Sequence, residues 1–370
     1  MTRAGSAPES STPVPATEPA HQPGRAGGRL LGVDLARAVA IAGMVAVNVG
    51  PRDDSGPADL VIRAAHGRAS LLFVLLAGVG IGLLVSRTGT GRVAGSLAWR
   101  AGVLIVIGLA LQPLSHDVSV ILPTYAVLFA LALGAVRLPR WALIGAASAI
   151  TVVGPILWIL AQQPTEPFDL ALAPITAGPV AILTAILLSG PYPVITWLAP
   201  FLCGLWLGRC DLASPAVQRR LVVAGLGAAA LAVLGSRLLV ALTGQPDEQQ
   251  VGFDRLVSAV AHSQMPLWLI SGTGLATAVL GAMLLLAPRA RWLRPLIALG
   301  QLSLTVYVLH LILLATVIRP GPTTAWAGLA ITGAILAVSI LLATLWRSRF
   351  ERGPFEALMH HPFRHRSRTP

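Results

Sequence analysis

The chain has 370 residues, with 27 Arg and no Lys, 15 acidic residues and a formal net charge of +12. Hydrophobic residues make up 55%, charged residues 11%, and the mean hydropathy is +0.75, whereas a soluble domain carries about 25% charged residues. That shortfall excludes a soluble enzyme, a disordered chain and a nucleic-acid binder, and leaves an all-α polytopic membrane helix bundle as the expected fold.

Residues 1–28 are rich in Ser, Thr, Pro, Ala and Gly and hold no apolar run. They read as a disordered N-terminal tail. The first apolar segment starts only near Leu30, which makes it an uncleaved span rather than a signal peptide. About ten segments have the length and apolarity to cross roughly 30 Å of hydrocarbon as helices. They are 32–49, 67–86, 97–112, 118–136, 141–161, 193–208, 221–243, 266–287, 296–317 and 324–346. The segment 170–189 contains Pro174, Gly178 and Pro179 without a flanking Arg, and reads as a re-entrant or interfacial helix in an outer loop. With the N-terminus inside, 20 of the 27 Arg fall in inner segments, as the positive-inside rule requires. The expectation is a multi-pass protein of the plasma (inner) membrane with both termini cytoplasmic. Its transmembrane domain covers 29–346 and a basic tail covers 347–370. Cys203 and Cys210 make neither a disulfide framework nor a metal-ligand cluster, and no metal is expected.

Ionisable and polar groups within such spans are costly and mark candidate sites. In the first span Asp34 and Arg37 are three residues apart, share a helix face and can pair. A structural ion pair and an anionic cofactor's entry site are both open readings. Asn48 lies near the outer end of the same face. Its amide can polarise a reacting carbonyl, or simply bond a neighbouring helix. His66 follows at the membrane boundary in Arg63-Ala-Ala-His66-Gly-Arg68-Ala-Ser70, where it suits a general base. If the second span begins early, Arg63 and Ser70 share its face. Gly78, Gly80 and Gly82 then let a neighbouring helix approach closely. His116-Asp117, Tyr192, Trp197 and His262 scatter along the outer side, with Tyr192 and Trp197 suited to interface anchoring. Arg237 falls within a span and can snorkel outward. In the span 296–317, Ser303, Tyr307 and His310 fall at i, i+4 and i+7, one helical stripe facing a wet cavity or a packing seam.

The strings RLLGVDLARAVAIAGMVAVN and HGRASLLFVLLAGVGIGLL, with GPYPVITWLAPFLCGLWLGR, LRPLIALGQLSLTVYVLH and WRSRFERGPFEALM, cover nearly the whole chain after residue 28. They resemble the heparan-α-glucosaminide N-acetyltransferase-like membrane proteins and the related YeiB-like bacterial family. The resemblance implies transfer of an acyl group from cytosolic acyl-CoA to an acceptor, often a sugar, across the membrane. It matches Asn48 to the family's active-site asparagine. The family's catalytic histidine stands further from its glycine-containing second span than His66 does from Gly78.

The leading expectation is a membrane acyltransferase using acetyl-CoA or another acyl-CoA. His66 would be the general base and Asn48 the oxyanion donor. Arg37 and Asp34 would stand at the donor's site, and Ser303, Tyr307, His310, His116, His262 and Trp197 would line the acceptor cavity. The expected partners are the lipid bilayer, the acyl-CoA and a glycan or small-molecule acceptor, with no nucleic acid; a homodimer stays open. A secondary transporter and a non-catalytic membrane scaffold are the rival readings.

Overall fold

The structure, a computed structural model, describes residues 1–2, 29–51, 56–114, 117–162, 175–247, 250–289 and 291–360. The described residues fold into helices: α1 Leu31–Val49, α2 Pro57–Ala65, α3 Arg68–Thr88, α4 Ala94–Leu111, α5 Leu122–Ala135, α6 Arg140–Ala161 and α7 Pro179–Thr184. After them come α8 Val194–Leu207, α9 Pro215–Thr243, α10 Pro266–Leu286, α11 Arg294–Gln301, α12 Ser303–Leu313, α13 Ala325–Arg347 and α14 Pro354–Leu358. Helices satisfy their own backbone hydrogen bonds, which a chain this apolar needs if lipid surrounds it. Five of them (α2, α7, α9, α10 and α14) begin on proline, where the missing N–H is no loss and φ is already helical.

The apolar surface confirms the solvent. α4, α6, α9 and α13 leave Val106, Leu160, Leu231, Leu242 and Leu341 exposed along their lengths. In water, so much contiguous apolar surface would drive association; in a bilayer it meets lipid tails. The protein is a polytopic helical membrane protein. Seven helices are long and apolar enough to cross alone, and up to nine if each of two bent pairs is one span. All ten expected spans fall on helical segments; the one outside that count is α5, with 14 residues.

One expectation about a single element changes. The span expected at 296–317 is not one rod. It breaks at Leu302 into α11 and α12, bent by 67°. The break is held from outside, because Glu356 of α14 accepts the Leu304 and Thr305 backbone N–H groups at 2.8 and 3.0 Å and the Thr305 hydroxyl at 2.6 Å. A carboxylate at a helix N-terminus satisfies donors that the helix cannot. The second bent pair joins α7 and its π-helical turn Ala185–Ser189 to α8 at 58°; it includes the described part of the expected re-entrant segment, whose earlier residues lie outside the described ones.

Contacts order the bundle. α1 packs on α3, α10, α11 and α13, and α3 packs on α8. α3 and α8 touch backbone to backbone: a Cβ on Gly78 would sit 2.1 Å from the Phe201 carbonyl oxygen, and one on Gly204 2.0 Å from that of Leu75. Gly80 differs, since its nearest neighbour is the Arg37 Nη2 at 3.3 Å. Gly78→Ala should therefore cost about 1–3 kcal/mol, with a clear drop in melting temperature in detergent. Gly80→Ala, meeting only the end of a flexible side chain, should be close to neutral.

α1 gives the bundle two ends. At the Asp34 end stand the start of α1, the ends of α3 and α10, the α11–α12 break and α14. Arg209 there caps the end of α5, donating to the carbonyls of Leu138 at 2.6 Å and Val136 at 2.9 Å. Burial and neighbouring Arg140 hold its pKa below the usual arginine value. Burial raises the Cys210 thiol. At the Asn48 end stand the end of α1, the α2–α3 junction and the starts of α8, α10 and α13. Arg29 and α14 lie at the same, Asp34, end.

Candidate functional site

Within the bundle near the Asn48 end, Asn48 Nδ2 lies 3.0 Å from His310 Nε2, across 262 residues of sequence. His310 Nδ1 lies 3.3 Å from the Val306 carbonyl oxygen. A carbonyl only accepts, so Nδ1 carries the proton and Nε2 presents a lone pair to the Asn48 amide. His310 is buried, and Tyr307, one turn earlier, stands 5.2 Å from its ring. The Tyr307 hydroxyl accepts the Ile121 N–H at 3.4 Å. Arg319, just after α12, donates to the Asn48 carbonyl at 2.9 Å and reaches Asp117 at 3.5 Å. These contacts pin the end of α1 to the end of α12.

A second cluster lies at the same end. The His66 and His262 rings are 4.8 Å apart. Around His262 stand Tyr192 at 5.7 Å, Trp197 at 6.0 Å and Trp268 at 5.7 Å. His262 and Gln264 both hold left-handed φ, 60° and 63°, which costs a non-glycine residue free energy. Gln264 offsets this with three bonds. Its Oε1 accepts from Thr196 Oγ1 and Trp197 Nε1, each at 3.0 Å, and its Nε2 donates to the Pro191 carbonyl at 3.2 Å. The Trp268 Nε1 is buried without a hydrogen-bond partner among the described residues. The start of α5 joins the two clusters. Tyr307 accepts the N–H of Ile121 just before α5, and Thr124 of α5 donates its hydroxyl to the Tyr192 carbonyl at 2.9 Å.

The structure thus gathers Asn48, His66, Trp197, His262, Tyr307 and His310 at one end. It corrects the local reading of His66. Its helix does not begin early: Gly67, at φ 70°, separates α2 from α3, and His66 caps α2. Arg63 is on α2, ion-paired to Asp59, and does not share a face with Ser70. Trp197 is no interface anchor, because it is fully buried and bonded to Gln264. Ser303 opens α12 near the Glu356 cap, about 10 Å along the helix from His310. His116 lies outside the described residues.

Asp34 and Arg37 form a separate polar centre at the opposite end. The Asp34 carboxylate is 1% exposed. It accepts from Arg29 Nε at 2.5 Å, Arg37 Nη1 at 2.9 Å and Gln301 Nε2 at 3.3 Å. The side chain of Arg37 is 28% exposed, and its Nη2 lies over Gly80. This centre ties α1 to α11 and leaves guanidinium donors for an anion.

Sequence reasoning missed Gln264, Trp268, Gln301, Arg319 and Glu356. Each acts through a partner on another helix, and only Glu356, just after a Gly-Pro helix start, carries a local signal. No curated protein matches the chain at a significant level. The matched stretch covers α9 to α14, and with them His262, Tyr307 and His310, while Asn48 and His66 lie before it: residues 207–363 match the family described as a protein of unknown function, DUF418.

Proposed function

We propose that this chain is an integral membrane acyltransferase of the heparan-α-glucosaminide N-acetyltransferase-like kind. It moves an acyl group, acetyl first, from cytosolic acyl-CoA at the Asp34 end to a sugar or cell-envelope acceptor at the Asn48 end. It resides in the plasma membrane with both termini cytoplasmic. The observation that carries the reading is the Asn48–His310 hydrogen bond, set at the same end as the His66–His262 pair and opposite the Arg29–Asp34–Arg37 centre. His66, partly exposed, takes the proton from the acceptor's hydroxyl or amine. The freed oxygen or nitrogen attacks the thioester carbonyl, the C–S bond breaks, and CoA leaves as the thiolate. An amide carries two N–H donors. Asn48 gives one to His310 and the other to the developing oxyanion. Arg37 favours the CoA phosphates.

Isothermal titration of acetyl-CoA into the detergent-purified protein tests this. Saturable binding, weakened about tenfold by Arg37→Ala and further by salt, is the expected result. No binding to a folded protein would remove the acyltransferase reading. One observation favours a transporter instead: both bent helix pairs resemble the discontinuous helices of secondary transporters. Solute uptake by proteoliposomes without acyl-CoA would move that reading to the front.

A further inference from the structure

Beside the His66–His262 cluster a cleft of about 220 Å³ opens between the start of α3, the last third of α9 and the loop from α9 to α10. Arg68, Arg237 and Arg255 line it, with Gln245, Ser236 and Ser258. Among the described residues the lining holds no acidic side chain. The wall is built. Ser236 Oγ donates to the Val257 carbonyl at 2.6 Å, which fastens the loop to α9. Arg255 is 7% exposed, which holds its side chain in the fold. Arg68 gives one N–H to the Ala64 carbonyl at 3.3 Å. Arg237 is exposed and makes no hydrogen bond or ion pair among the described residues.

The contrast with the other end is informative. There two arginines share the Asp34 carboxylate. Here three arginines line one small space, the described residues add no carboxylate to that lining, and exposed Arg237 keeps its donors for a ligand. Like charges brought together cost free energy, and an anion in the cleft offsets that cost. Guanidinium forks suit tetrahedral oxyanions, which they bind through paired N–H donors.

We propose that this cleft is a binding site for a phosphoryl group, carried by a phospholipid headgroup or by a free phosphorylated small molecule. Arg68 is two residues from His66, and Val260 of the lining is two from His262. On the acyltransferase reading, on which this clause rests, the phosphoryl group anchors the acceptor beside the imidazoles. The binding site itself does not depend on that reading.

The test titrates the full-length protein in detergent with inorganic phosphate, and separately with dihexanoyl phosphatidic acid, using dihexanoyl glycerol as the uncharged control. Saturable binding of either anion, about tenfold weaker in Arg237→Gln and in Arg255→Gln, is expected. Binding of both probes identifies the phosphoryl group alone as the ligand, and binding of the lipid alone identifies a headgroup. If Arg255→Gln fails to fold, the exposed Arg237→Gln decides. No binding of either anion, or affinities unchanged in a folded Arg237→Gln variant, overturns the proposal. Absent acetyl-CoA binding with phosphate binding intact removes the acyltransferase reading and leaves this site standing.

Discussion

Alanine in place of His66 should lower acetyl transfer by about 10²–10⁴-fold, the range that a positioned acid–base group contributes, while the protein stays folded. His66 closes α2 through its backbone N–H, bonded to the carbonyls of Ile62 and Arg63, and its side chain is partly exposed. Truncation therefore leaves the helix junction intact. His310→Ala separates base from support. It removes the acceptor of the Asn48 amide bond, so kcat should fall by a smaller factor while the pH profile of kcat/KM keeps the limb that His66→Ala abolishes. Transfer assays with labelled acetyl-CoA across pH decide between them. Retained activity in His66→Ala would sink the assignment of His66 as base.

Asp34→Ala should cost about 3 kcal/mol of stability, because removing one partner of a buried ion pair leaves the other charge without compensation. Arg29 is half exposed and regains water. Arg37 and Gln301 recover less, since both are partly buried between helices. Asp34→Asn, which keeps the shape and an acceptor oxygen, should cost less. Thermal unfolding in detergent, followed by the fluorescence of the nine tryptophans, measures both. A change below about 1 kcal/mol in Asp34→Ala would mean that water reaches the carboxylate.

Much of the architecture was legible because a bilayer demands long apolar helices, and the sequence shows them one by one. The ten expected spans fall on helical segments, and Gly78 marks a close helix contact as expected. Asp34 and Arg37 pair because three residues on a helix bring side chains to one face. Asn48, His66, Tyr307 and His310 were recognisable singly, since polar groups stand out against an apolar chain.

What local pattern cannot carry is pairing between distant segments. Asn48 bonds His310 across 262 residues, and no spacing rule links α1 to α12. The break at Leu302 was invisible because its cause is Glu356, some 50 residues on, which satisfies the N–H groups that an unbroken helix would have used itself. Trp197 reads as an interface anchor until Gln264, held in a left-handed turn, meets its indole N–H inside the fold. Arg68, Arg237 and Arg255 stand in three separate segments that no spacing rule links; only the packing of α9 against α10 and its loop brings them to one cleft. By itself the sequence determined which segments are helical and which side chains are too costly to be idle, since helix periodicity and the price of polarity in lipid are local properties. The tertiary structure alone decided which of those side chains face one another, because that depends on how whole helices pack.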